Sequence, residues 1–199
     1  MLHTRESNAL HGKCTNTCVI AIVFTVLLPL LQFFHDQLLY QRYLIGAGEV
    51  WRLWTGNVVH TNHWHLLLNL AGLWLLVFIA PSPERKHIQL LQIGWLATCV
   101  GTGLWFMSTG VIWYMGFSGI LYGLFILSGI RLLLQGDWLI ATVFLVGIGG
   151  KTLLDWAQGG ASPSAAFIEA PVIYAAHLYG MMGGILLSIP ALRAHWQRT

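Results

Sequence analysis

Gly116-Phe117-Ser118-Gly119, followed by Tyr122 and Gly123, stands at the mouth of an apolar run from about Val111 to Leu134. If that run is a helix, Tyr122 lies one turn beyond Ser118, and Gly116, Gly119 and Gly123 thin the surface around the serine. Two readings compete. Small residues let membrane helices pack closely, and Ser118 could be one of them; alternatively, the glycines expose a hydroxyl in an apolar setting, which makes Ser118 a candidate nucleophile. The tetrapeptide alone leans towards packing, so the decision rests on what the other apolar segments carry at the same depth.

Those segments dominate the chain. Of its 199 residues, 56% are hydrophobic and 9% charged, with a mean hydropathy of +0.68. Soluble domains carry roughly a quarter charged residues, so the composition excludes an ordinary soluble fold and describes a polytopic protein of the lipid bilayer. The 10 Trp and 6 Tyr suit interfacial belts. A net charge of +3 and a pI of 8.9 fit topology-setting lysines and arginines, and no basic, aromatic-interleaved patch supports nucleic-acid binding. Cys14, Cys18 and Cys99 are an odd set without further nearby ligands, neither a disulfide framework nor a metal site, and read as free thiols.

Outward from the motif, the pattern is all-α with six spans. Residues 1–17 form a polar tail, and Cys18 to Phe34 is a retained first helix, too long and too poorly terminated for a signal peptide. A Trp-, Tyr- and Arg-rich connection over residues 36–59 reads as a half-buried interfacial loop with no span of its own. Spans then follow from His60 to about Ala80, from Ile88 to about Met107, through the motif to Arg131–Asp137, from Trp138 to about Leu154, and from Pro171 to about Leu192. Residues 155–170 read as a loop and residues 193–199 as a basic tail, so residues 18–192 form one membrane domain. Counting basic residues places Arg5, Lys13, Arg85, Lys86, Arg131, Arg193 and Arg198 on the side of both termini, which makes that side cytoplasmic. His60, His63, His65, Ser118 and His177 then all lie towards the outer leaflet.

Ionisable side chains within spans are costly and usually have a partner or a task. His65 and Asn69 are i and i+4, on one face of the second span. In the sixth, His177 is followed by Gly180 and Gly184, a smooth strip that admits a neighbouring backbone. Two glycine-lined faces can bring a Ser118 hydroxyl and a His177 imidazole into hydrogen-bond reach, and a serine needs such a base to become a nucleophile. Tyr122 would then lie against the His177 ring. His65, Asn69 and the Ser118 amide could supply donors for a developing oxyanion. No acidic residue is assigned to a span at this depth, so the expected site is a Ser-His dyad. Histidines in spans could instead ligate haem or a metal. The candidates lie on one side only and no span carries carboxylates for an ion path, so no cofactor and no metal is expected.

Four motifs, in order, carry a resemblance: Glu49-x-Trp51-Arg52, His60-x4-His65-x3-Asn69, Gly116-x-Ser118-Gly119-x2-Tyr122, and Ala176-His177-x2-Gly180-x3-Gly184. Together they resemble the rhomboid intramembrane serine proteases over nearly the whole chain. The resemblance implies Ser118 as nucleophile, His177 as base, His65 and Asn69 at the oxyanion site, and Tyr122 stacked on His177. It also implies Trp51 and Arg52 as anchors of the first loop, His60 as a structural histidine, and transmembrane proteins as substrates. The compact chain and the run from Trp51 to Gly56 leading to Val59-His60 look like the rhombosortase branch. Those enzymes are associated with bacterial surface and secreted proteins bearing Gly-Gly-type C-terminal sorting tails, which places the expected enzyme in the inner membrane.

Overall fold

The computed structural model describes residues 2–197, with side chains from Asn16 onward. Arg198 and the side chains of Arg5, Lys13 and Cys14, to which the sequence assigns topological or thiol roles, lie outside the described residues. The elements are α1 (Leu2–Leu31), α2 (His35–Leu38), β1 (Tyr40–Gln41), α3 (Arg42–Gly46), α4 (Arg52–Thr55), α5 (His63–Ile79), α6 (Lys86–Met107), β2 (Trp113–Tyr114), α7 (Ser118–Gln135), α8 (Trp138–Ala157), α9 (Pro163–Ile168) and α10 (Tyr174–Trp196). Among the described residues, five segments are long and apolar enough to cross a membrane: Asn16–Leu38, α6, α7, α8 and α10. The sixth is α5, 17 residues long, met at 86° by the preceding Arg52–Val58 segment.

Many large apolar side chains face outward, while several polar side chains are buried within an otherwise apolar core. Phe33, Phe78, Leu139 and Val146 face outward, whereas Asn57, His60, Asn69, Asp155 and His177 are buried. That arrangement suits a bundle whose solvent is lipid, where helices satisfy their own backbone and polar side chains turn inward. Leu28, Val77, Leu96, Phe117 and Ile120 join α1, α5, α6 and α7 in the main apolar core.

The packing of α7 on α10 fixes the site. A Cβ on Gly180 would overlap the Gly119 carbonyl, and one on Gly184 would overlap the Gly123 carbonyl. A Cβ on Gly119 would lie 3.0 Å from the Ala176 carbonyl oxygen. The two helices therefore touch backbone to backbone, and any larger residue on this seam would separate them.

The first loop is more ordered than its sequence suggests. Tyr40 and Gln41 pair antiparallel with Tyr114 and Trp113, and Gly116 N–H donates to the Gly56 carbonyl at 3.1 Å. Arg42 donates to the carbonyls of Leu104 (2.6 Å), Trp105 (3.1 Å), Ser108 (3.1 Å) and Val111 (3.0 Å). It thus satisfies carbonyls that the end of α6 leaves without helical partners.

Several helix ends differ from the sequence expectation: α1 begins at Leu2, within the expected polar tail of residues 1–17, and three other differences bear on the site. First, α5 starts at His63 and not His60, because the Asn62 side chain caps it, Oδ1 accepting from His65 N–H at 2.9 Å. Second, α10 starts at Tyr174 and runs to Trp196, so Arg193 and His195 occupy its last turn, where the helix dipole favours cations. Third, α8 continues beyond Leu154 to Ala157. Gly159 and Gly160, at φ +59° and +84°, end it, and Gly160 N–H donates to the Asp155 carbonyl at 2.7 Å. Asp155 is therefore a helical residue and not the first residue of a loop.

Candidate active site

Ser118 is the first residue of α7. Its N–H is among those at a helix start that no carbonyl of the same helix reaches, so it is open to an incoming oxyanion. Its Oγ lies 2.9 Å from Nε2 of His177, in the first turn of α10. Tyr122 stacks on His177 with centroids 4.0 Å apart and planes within 8°. The ring contact fixes the imidazole plane so that Nε2 points at the serine.

Gly116, at φ +135°, turns the chain into α7. A Cβ there would sit 2.8 Å from His65 Nε2 and 3.6 Å from Ser118 Oγ. The glycine is needed for both its conformation and the space it leaves, since His65 and Ser118 border that same spot. His65 Nδ1 lies 3.1 Å from Thr61 Oγ1, and Thr61 donates to the Ile168 carbonyl at 2.7 Å. This chain orients the His65 ring and ties the start of α5 to α9. Asn69 is buried, and its amide donates to the His65 carbonyl at 2.9 Å.

His60 sits behind this centre. Its N–H donates to Gln32 Oε1 at 2.8 Å, its Nε2 accepts from Phe117 N–H at 3.4 Å, and its ring meets that of His65 edge-on at 5.0 Å. It joins the end of α1 to the turn that presents Ser118. Arg52 is buried and pairs with Glu49 at 2.6 Å while donating to the Asp36 and Leu39 carbonyls at 2.9 and 2.8 Å. Trp51, half exposed, donates to the Gln37 carbonyl at 3.3 Å. Both hold the first loop together and neither lines the central cavity. Gly119 is in the α7–α10 seam.

These groups open onto a cavity of about 260 Å³, lined by His65, Asn69, Ser118, Tyr122 and His177 together with Lys151 and Ser164. The largely apolar lining, with a few convergent polar groups, suits an extended peptide segment. Among the described residues, no group of three or more His, Cys, Asp or Glu is disposed to hold a metal ion.

A model of the Rhomboid domain matches residues 47–194. The chain belongs to the rhomboid family. It is 29% identical over 157 residues to the Bacillus subtilis (strain 168) protein named "Putative rhomboid protease YdcA", an alignment spanning 72% of this chain and 68% of that protein. No solved structure gives a significant match. The protein is thus a multi-pass intramembrane serine protease, a hydrolase of the rhomboid type.

One expectation about this rhomboid protease is overturned. An acidic residue does stand in a span beside the histidine: Asp155, fully buried in the last turn of α8, has Oδ2 3.8 Å from His177 Nδ1. The error came from ending the helix at Leu154. The signal was present, since Lys151 and Asp155 are i and i+4 on one helical face, and the two form an ion pair at 2.5 Å. Tyr114 was also missed; its hydroxyl donates to the Gly116 carbonyl at 2.6 Å and braces the turn before Ser118.

Proposed function

We propose that Ser118 and His177 carry out peptide-bond hydrolysis on transmembrane client proteins. The observation that carries the reading is the 2.9 Å contact between Ser118 Oγ and His177 Nε2 inside the central cavity. His177 Nε2 takes the hydroxyl proton as Oγ attacks the scissile carbonyl, then gives that proton to the leaving amine. Water repeats the sequence on the acyl-enzyme. The oxyanion is received by the Ser118 N–H, His65 and Asn69. For the last of these, the amide turns from the His65 carbonyl to the substrate oxygen. Tyr122 keeps the base in plane, and His60, Gly116, Gly119, Arg52 and Trp51 keep the surrounding elements in register.

The client is cleaved near the outer boundary of its membrane helix. A regular helix hides its carbonyls in hydrogen bonds, so weak or glycine-rich helices are preferred. The bias of basic residues supports cytoplasmic termini and a site towards the outer leaflet of a bacterial inner membrane. The run Trp51-Arg52-Leu53-Trp54-Thr55-Gly56 before Val59-His60 supports a rhombosortase that processes Gly-Gly-type sorting tails.

The test is the purified protein in liposomes with two tagged clients, one carrying a Gly-Gly tail and one an unrelated single-span helix, and the mass of the new C-terminus as readout. Cleavage confined to the Gly-Gly client is expected. Equal cleavage of both makes the enzyme a general rhomboid protease, and cleavage of neither contradicts the proposed function.

A further inference from the structure

The mechanism above leaves one buried polar cluster unused. Asp155 is fully buried in α8. Its Oδ1 binds Lys151 Nζ at 2.5 Å, and Lys151 also donates to Ser164 Oγ at 3.0 Å and reaches Ser162 Oγ at 3.5 Å. The other oxygen, Oδ2, is buried with no hydrogen-bond partner, and so is Nδ1 of His177. These two atoms face each other at 3.8 Å.

Their chemistry is complementary. If Nε2 of His177 accepts the Ser118 hydroxyl, Nδ1 must carry the hydrogen in the neutral ring. Nδ1–H is then a buried donor without an acceptor, opposite a buried acceptor without a donor. Leaving both unmade is expensive. A bridging water would need its partners about 4.5 Å or more apart at ordinary hydrogen-bond lengths, so the observed gap calls for a direct bond. A carboxylate rotates easily about its last torsion, and catalytic hydrogen bonds that are long in a free enzyme often tighten when substrate is bound.

The placement is also unfavourable on other grounds. A carboxylate in the last turn of a helix opposes the macrodipole, and a carboxylate inside a membrane bundle is costly without a task. The Gly159–Gly160 turn nonetheless holds it there: Gly160 N–H binds the Asp155 carbonyl, and Gly160 C=O accepts from Val172 N–H at 2.9 Å, just before α10 and His177.

We propose that Asp155 is a positioning residue: its Oδ2 accepts the Nδ1–H of His177, holds the ring in the tautomer that presents Nε2 to Ser118, and offsets the charge of the imidazolium formed when the serine proton moves to Nε2. Asp155 keeps its own charge throughout, and the proton goes from Ser118 Oγ to Nε2 and on to the leaving amine. Lys151 is the counter-ion that makes the buried carboxylate tolerable. The site is then Ser118-His177-Asp155, with each residue on a different helix. This inference rests on Ser118 and His177 being nucleophile and base.

The competing role is a purely structural ion pair closing α8. Steady-state cleavage by the full-length enzyme in liposomes separates the two, using the parent, Asp155→Asn, Asp155→Glu, the charge-neutral double variant Asp155→Asn/Lys151→Gln, and Ser118→Ala as blank. The expected result is a kcat about 10- to 100-fold lower for Asp155→Asn with KM within about twofold, partial recovery in Asp155→Glu, and no recovery in the double variant. The double variant also removes the unpaired cation that would threaten folding. A parental kcat in Asp155→Asn, or in the double variant, overturns the proposal provided Ser118→Ala is inactive. Cleavage by Ser118→Ala overturns instead the reading on which it rests.

Discussion

At the scale of single residues, the proposed oxyanion site is not fully assembled in the free enzyme, because the Asn69 amide donates to the His65 carbonyl at 2.9 Å. Ser118, His177, Tyr122 and His65 could be picked out because polar side chains in apolar spans are few, and helical spacing put each on a definable face. Asp155 escaped because the end of a membrane helix is marked poorly in a run such as Leu153-Leu154-Asp155-Trp156. The orientation of Asn69 could not be read at all, since its amide is bound to the His65 carbonyl in the free enzyme. If Asn69 turns to the oxyanion during the reaction, its contribution appears only in the transition state. Asn69→Ala should lower kcat by about 100-fold, some 3 kcal/mol of barrier, while KM changes much less. Equal kcat with raised KM, measured by steady-state cleavage, would assign Asn69 to substrate binding instead.

At the scale of elements, the decisive contact is the seam of α7 and α10. The glycines at 119, 123, 180 and 184 read in sequence as two strips able to meet, but how closely the backbones approach does not follow from small residues alone. The structure pairs them backbone to backbone, placing His177 against Ser118. The site therefore depends on a packing distance, and a side chain on the seam should act at a distance from the chemistry. Gly180→Leu is expected to push α10 away from α7, abolish cleavage and lower the thermal unfolding temperature of the purified protein by several degrees, as overpacking costs about 1–3 kcal/mol. The unfolding curve and a cleavage assay on the same sample check this. The first loop shows the opposite limit of sequence reading. Its aromatic and basic composition marked an interfacial segment, whereas the β1–β2 pairing and the Arg42 clamp on the end of α6 arise from contacts between residues 62 to 74 apart, which no local pattern encodes.

At the scale of the whole molecule, composition and the count of apolar segments were enough for an all-α polytopic bundle, because continuous apolar runs of bilayer length suit helices, which satisfy their own backbone in lipid. The inward-facing polar groups then follow from the same physics: with an apolar exterior, His65, Asn69, Lys151 and His177 turn inward onto one cavity. Ser118 is proposed as the nucleophile activated by His177 and as facing the outer leaflet, and one labelling experiment addresses both. Right-side-out and inverted membrane vesicles carrying the protein are exposed to a membrane-impermeant fluorophosphonate, and the adduct is mapped by peptide mass spectrometry. An adduct on Ser118 is expected in right-side-out vesicles and is lost in His177→Ala. An adduct on another serine, labelling of Ser118 that survives His177→Ala, or labelling from the cytoplasmic face alone would contradict that assignment.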